Sequence, residues 1–129
     1  MPQQVEKLVL DNLEQAQIFV GSLLSRQDFQ RIEEACRQFL FLRRALFIKR
    51  VKERHIIDGH GDLRCENICL TKPVSIFDCV EFEPAFRYAD VASDLSFLLM
   101  DLEFRGRKDL SRIVASRVRT ALSDSSLDQ

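Results

Sequence analysis

The chain is poor in the residues and segments that mark several protein classes. Only four glycines and three prolines occur among 129 residues, which excludes collagen-like and low-complexity sequences. The net charge of −1 argues against a general nucleic-acid binder, because such proteins usually carry a strongly basic balance. The apolar run at 95–100 is short, contains Ser96 and falls far below the roughly 20 apolar residues of a membrane span.

The remaining composition is that of a globular protein. Hydrophobic residues make up 46% of the chain, and a chain of this length can bury roughly two thirds of its unfolded surface in one core. The first 15 residues include acids where a signal peptide needs a basic and then an apolar stretch. We therefore expect a cytoplasmic protein that binds neither membranes nor nucleic acid, with its four cysteines as free thiols.

Apolar periodicity predicts an α+β, mainly helical fold in a single domain, 1–129. Helical spacing predicts helices at 5–24, from the break at 25–30 to about residue 54, at 90–104 and at 109–122. The apolar stripe of the second helix is interrupted at Arg43. Ser25 or Asp28 can cap the second helix, and Gly106 ends the third. The middle part, 55–82, holds a short strand at 55–58, a loop, and a hairpin formed by 68–70 and 74–77.

The loop between the strand and the hairpin carries the most informative residues. It reads HGDLRCEN at 60–67, and Asp78 follows at the end of the second hairpin strand. The pattern is that of a kinase catalytic loop and its metal-binding Asp. It consists of His-x-Asp, an Asn five residues after that Asp, a short hairpin and a further Asp.

Phosphoryl transfer requires a positioned acceptor hydroxyl and neutralised phosphate charge. A carboxylate at Asp62 can accept the hydroxyl proton. Asn67 and Asp78 offer the hard oxygen ligands that Mg²⁺ prefers. The pattern therefore predicts a base at Asp62 and a magnesium site at Asn67 and Asp78.

The resemblance extends beyond this motif. HGDLRCENICL, followed by IFDCVEFEPAFRYADVASDLSFLLMDLEFRGR, resembles the C-terminal lobe of the aminoglycoside phosphotransferase and choline kinase superfamily, over about residues 30–107. Some bacterial members of that group are fused to an ATPase domain. The resemblance implies the C-lobe of the protein kinase-like fold. It also implies Mg²⁺ with ATP or GTP, and transfer of the γ-phosphate to the hydroxyl of a small molecule.

The resemblance also suggests roles around the base. The family's Asp-x-x-x-Asp-Leu pattern falls on Asp90 and Asp94, and its first Asp braces the catalytic loop, so Asp90 is the expected support. His60 is expected to bridge the loop to neighbouring backbone, in preference to a direct role in chemistry. Arg64 stands where the family often has His, and it can either contact a phosphate or be solvated.

The nucleotide-binding N-lobe of the family has no counterpart in the sequence. There is no glycine-rich phosphate loop, no P-loop and no upstream strand with a Lys–Glu pair. We therefore expect a piece of a larger enzyme that is weak or inactive alone. The alternative is a non-catalytic, oligomerising remnant, a homodimer formed through the apolar residues Phe41, Leu42, Phe47 and Ile48.

Two further clusters have competing interpretations. The stretch 78–103 is strongly acidic, which suits either a cationic acceptor or, in our preferred interpretation, helix N-terminal acids and a solvated face. Cysteines and histidines could suggest zinc, but Cys65 and Cys69 are not spaced as a zinc knuckle, so buried or free thiols are favoured.

Overall fold

The structure is a computed structural model that describes residues 2–128 and forms two compact units, Met1–Arg54 and His55–Gln129. The chain is mainly helical, and its strands form two small antiparallel sheets of two strands each. The predicted mainly helical α+β class is confirmed at this level. The unit boundary coincides with the predicted end of the helical part at residue 54, while the single domain 1–129 stays a prediction.

The first unit consists of three helices. They are α1 (Pro2–Ala16), α2 (Arg26–Leu42) and α3 (Arg44–Lys52), with a 3-10 turn at Gln17–Phe19. The helices pack on one another, and Leu13 of α1 and Phe29 of α2 are buried. Phe39 and Phe47 meet edge to face at a centroid distance of 6.0 Å, which joins α2 to α3.

The predicted helix 5–24 is wrong in its second half, because α1 ends at Ala16. Gly21 adopts a φ of +93°, and its N–H donates to the Leu24 carbonyl at 2.8 Å. A positive φ is incompatible with a right-handed helix, so the turn interrupts the helix although the apolar spacing continues through it.

The second predicted helix begins as expected and is divided in two. Ser25 caps α2, and its Oγ accepts the Asp28 N–H at 3.0 Å. Arg43, with φ −102° and ψ +10°, separates α2 from α3. The predicted continuous helix to residue 54 is therefore wrong, although the interruption of the apolar stripe at Arg43 marked the position of the break.

The second unit begins with strands around a loop. Strand β1 (Ile56–Asp58) is followed by a 3-10 turn at Cys65–Asn67 and by the hairpin strands β2 (Ile68–Cys69) and β3 (Ser75–Ile76). In the hairpin Ile68 faces Ile76, so the predicted pairing is confirmed with shorter strands.

The unit continues with α4 (Pro84–Arg87), β4 (Tyr88–Asp90), α5 (Val91–Phe104), α6 (Lys108–Leu122) and a 3-10 turn at Ser125–Asp128. Strand β4 pairs antiparallel with β1, in the register that puts Ile56 opposite Asp90. The sequence reasoning missed β4, because three residues beside a helix start carry no alternation that distinguishes them from the helix.

Helices α5 and α6 pack against each other, and Leu95 and Leu102 of α5 are buried. Gly106, with a φ of +77°, lies in the turn between them, as the sequence predicted. No helix among residues 2–128 is long and apolar enough to cross a membrane.

Truncating Leu95, one of the two buried leucines of α5, is expected to destabilise the second unit. Leu95→Ala should lower the free energy of unfolding by about 2–5 kcal/mol, because it removes buried apolar surface and leaves a cavity. Leu70→Ala is the matched control, since Leu70 is 88% exposed and should change stability by less than about 0.5 kcal/mol. Urea unfolding of both variants measures the difference, and equal effects would contradict the assigned core.

Candidate active site

The site is built on the loop of residues 59–67, which connects β1 to the hairpin. The Gly59 N–H donates to the Arg87 carbonyl at 2.9 Å, and the Val80 N–H donates to the His60 carbonyl at 3.0 Å. These bonds attach the beginning of the loop to the end of α4 and to the segment that follows Asp78. The loop is therefore held by backbone contacts on two sides.

One carboxylate braces the beginning of the loop. Asp94 Oδ2 accepts the His60 N–H at 2.6 Å, and its Oδ1 accepts the Gly61 N–H at 2.8 Å. The expectation placed this brace at Asp90, but the structure puts these two bonds on Asp94. Asp90 is the N-cap of α5 and accepts the Ala92 N–H at 2.9 Å. Asp94 lies one turn into the helix, on the side that faces the loop.

The two glycines of the loop lie where a side chain would not fit. A Cβ at position 59 would collide with the Asp94 carboxylate. Gly61 has a φ of +83°, and a Cβ there would lie 3.2 Å from the Phe86 carbonyl oxygen and from Val80 Cβ. A side chain at position 59 would push the loop away from α5. One at position 61 would press on Phe86 and Val80 and would strain the backbone, because of the positive φ.

His60 joins the loop to the hairpin. Its Nδ1 accepts the Asp62 N–H at 3.3 Å, and its Nε2 lies 2.8 Å from the Phe77 carbonyl oxygen. A carbonyl oxygen can only accept, so this arrangement assigns the ring proton to Nε2. Both ring nitrogens contact backbone groups, which is the bridging role expected for this residue.

Asp62, the candidate base, is half-buried at the turn of the loop. Arg64 Nη2 lies 3.1 Å from Asp62 Oδ2 and 2.7 Å from Glu66 Oε1. Of the two interpretations of Arg64, free solvation is thus replaced by ion pairs within the loop. Its buried Nε has no hydrogen-bond partner among the residues that the structure describes.

Asn67 is buried at the far end of the loop, and its amide is oriented by the loop itself. Its side-chain Nδ2 donates to the Asp62 backbone carbonyl at 3.0 Å, and its backbone carbonyl accepts the Phe77 N–H at 3.0 Å. Because the amide nitrogen is used in this bond, the side-chain oxygen Oδ1 is the atom that can serve as a cation ligand. Asn67 therefore contacts both the base-bearing residue and the residue that precedes Asp78.

Asp78 is exposed and has a φ of +65°, in the left-handed region that Asp tolerates better than most residues. Its predecessor Phe77 bonds to His60 and Asn67, and Val80, two residues later, bonds to His60. The structure therefore links the segments that carry Asp62, Asn67 and Asp78 through direct hydrogen bonds.

One residue of the site was not singled out by the sequence reasoning. Asp101 Oδ2 accepts the Cys65 N–H at 2.9 Å, and its Oδ1 accepts Arg105 Nε at 3.0 Å. The Cys65 N–H lowers the pKa of the Asp101 carboxyl. Burial, followed by the hydrogen bond to Asp101, raises the pKa of the Cys65 thiol. A seven-residue spacing between Asp94 and Asp101, which places both on one face of a helix, is the signal that could have found it.

The oxygens of Asn67 and Asp78 suit a magnesium ion that is held only partly by protein ligands. Within residues 2–128 no group of three or more His, Cys, Asp or Glu side chains could hold a metal ion. Mg²⁺ in phosphotransfer sites is commonly held by one or two carboxylates, with waters and substrate phosphates completing its shell. An amide oxygen at Asn67 and a carboxylate at Asp78 fit that pattern, and the four cysteines are free thiols.

Comparison with known proteins finds related chains in mycobacteria. Uncharacterized proteins of Mycobacterium bovis and of two Mycobacterium tuberculosis strains are each 42% identical to this chain over 101 residues. The matched region is 78% of this chain and 20% of each relative, so the chain spans about a fifth of their length. No protein-family model and no solved structure matches the chain.

The contact between Cys65 and Asp101 makes a prediction about thiol reactivity. Asp101→Asn removes the negative charge that disfavours the thiolate, so the pKa of Cys65 should fall. Because the thiolate is the nucleophile, alkylation of Cys65 by iodoacetamide at pH 8 should become severalfold faster. Rates can be followed by mass spectrometry of the Cys65 peptide across a pH series.

Arg105→Ala is the matched control with the opposite sign. The guanidinium lowers the pKa of Cys65, so its removal should slow alkylation at the same pH. Rates that move in the same direction in both variants would contradict the assigned electrostatics.

Proposed function

We propose that the second unit carries the catalytic half of a phosphotransferase with the kinase-like fold. It would transfer the γ-phosphate of ATP or GTP to the hydroxyl of a small molecule. One observation carries the proposal: a single hydrogen-bonded loop presents Asp62 and Asn67, and the same loop binds the hairpin end that carries Asp78. The proposal rests on this geometry and on the motif.

Asp62 acts as the base in this mechanism. Its carboxylate orients the acceptor hydroxyl and receives its proton as the hydroxyl oxygen forms a bond to the γ-phosphorus. The bond between that phosphorus and the bridging oxygen breaks, and the nucleoside diphosphate leaves with the electron pair. Arg64 contacts Oδ2 of Asp62, which restrains the orientation of the carboxylate.

Asn67 and Asp78 would hold the cation. A Mg²⁺ ion held by these residues would supply positive charge to offset that of the nucleotide phosphates. Asn67 contributes a neutral oxygen whose direction is set by the bond from its Nδ2 to the Asp62 carbonyl. Asp78 contributes an exposed carboxylate, and solvent exposure leaves room for the waters and phosphates that the ion retains.

Arg64 is suited to contact a phosphate oxygen. Its Nη2 is shared by Asp62 and Glu66, whereas its Nε has no partner among the described residues. A phosphate oxygen that accepts a hydrogen bond from Nε would give this donor a partner.

The alternative, a non-catalytic oligomerising module, is favoured by a separate observation in the first unit. Phe41 and Leu42 at the end of α2 are 81% and 71% exposed. Phe47, which the sequence reasoning grouped with them, instead packs on Phe39. Exposed apolar side chains of this size favour association, and a homodimer is the simplest product.

Cation binding distinguishes the two functions. We expect the chain to bind Mn²⁺, a paramagnetic substitute for Mg²⁺, saturably and in competition with Mg²⁺. Asp78→Ala and Asn67→Ala should each weaken binding at least about tenfold, because each removes a ligand of the ion. Water-proton relaxation during a Mn²⁺ titration, with and without ATP, measures the affinity.

Asp109→Ala is the matched control. Asp109 is exposed, as Asp78 is, but it lies on α6 outside the loop and hairpin. It forms an ion pair with Arg107 at 2.8 Å. Its removal should leave Mn²⁺ affinity unchanged. A titration in which Asp78→Ala and Asp109→Ala bind equally well would reject the proposed site, and dimerisation without cation binding would favour the alternative.

A further inference from the structure

The two ends of the catalytic loop are attached to the same helix. Asp94 of α5 binds the N–H groups of His60 and Gly61, and Asp101 of α5 binds the N–H of Cys65. Residues seven positions apart on an α-helix lie on one face, two turns or about 10.5 Å apart along the axis. The helix therefore sets the distance between the beginning of the loop and its far end.

Asp101 accepts the N–H of Cys65, which is the first residue of the 3-10 turn that carries Asn67. The turn runs from Cys65 to Asn67, and it is closed by the Asn67 N–H, which donates to the Arg64 carbonyl at 3.0 Å. An anionic acceptor at the first N–H of such a turn forms a charge-assisted hydrogen bond, which is stronger than a neutral one. Asp101 thus attaches the Asn67 turn to α5 without contacting the cation ligands themselves.

Asp101 is itself held in place. Its side chain is 12% exposed, and Arg105, one turn further along α5, donates to its second oxygen at 3.0 Å. Cys65 N–H and Arg105 Nε therefore use different oxygens of one carboxylate, which limits its rotation. A carboxylate held from both sides is suited to fix the position of the loop rather than to react.

We propose that Asp101 is a positioning residue for the cation site: it fixes the Cys65–Asn67 turn on α5, and so the direction of the Asn67 amide oxygen. This inference rests on the proposed function, since it concerns the affinity of the same Asn67–Asp78 site. Partners that orient metal ligands from outside the ligand set commonly contribute 10–100-fold in metal affinity. Substitution of Asp101 should therefore lower the affinity for the cation as well as the stability of the fold.

The test is a Mn²⁺ titration of the full chain and of four variants, Asp78→Ala, Asp101→Ala, Asp101→Asn and Asp109→Ala. Binding is followed by water-proton relaxation, and thermal unfolding is recorded for each. Asp101→Ala should weaken Mn²⁺ binding about tenfold, because the turn loses its attachment to α5. Asp101→Asn should recover part of the affinity, because its amide oxygen can still accept the Cys65 N–H although the ion pair with Arg105 is lost. Asp109→Ala, which removes an Arg-paired aspartate elsewhere, should bind as the unmodified chain does.

The outcomes separate this inference from the proposed function. If Asp78→Ala abolishes binding and both Asp101 variants bind like the unmodified chain, Asp101 has no positioning role and the cation site stands. If the unmodified chain binds no Mn²⁺, or if Asp78→Ala has no effect, the cation site fails and this inference fails with it. Should Asp101→Ala not fold, Asp101→Asn decides: unchanged affinity overturns the proposal, and a partial loss supports it.

Discussion

Two successive N–H groups of the loop at 59–67, those of His60 and Gly61, donate to one carboxylate, and the geometry of the proposed site depends on this contact. Such donors would be costly to bury without a partner. Asp94 supplies both acceptors from the first turn of α5, where the helix dipole favours a negative charge. Loop, helix and carboxylate therefore stabilise one another, and the absence of a side chain at Gly59 allows the approach.

The hairpin depends on the same loop. Strands β2 and β3 have two residues each, which is too short to hold a register firmly by their own pairing. Phe77 supplies the additional contacts, since its carbonyl meets the His60 ring and its N–H donates to Asn67. The position of Asp78 is thus set by the loop that carries the candidate base, which keeps the two parts of the site together.

The acidic stretch 78–103 is largely explained by such local contacts. Besides Asp94, four of its carboxylates accept a hydrogen bond. The donors are the Ala85 N–H for Glu83, the Ala92 N–H for Asp90, the Cys65 N–H for Asp101 and the Ser111 hydroxyl for Glu103. These bonds favour the interpretation as helix acids over a site for a cationic acceptor. An acid that accepts a backbone N–H is committed to local structure and is less available to a substrate.

The sequence by itself determined the mainly helical class and the hairpin, limited the cap of the second helix to Ser25 or Asp28, and marked the loop at 60–67 as the candidate site. These features depend on spacing within a few residues. It could not assign the brace: Asp90 and Asp94 both begin the same helix, and only the direction in which the loop meets α5 makes Asp94 the acceptor. It also missed Asp101 and β4, whose partners lie 36 residues away for Asp101 and across the sheet for β4. Contacts between distant segments are set by how helices and strands pack, and local periodicity carries no record of that packing.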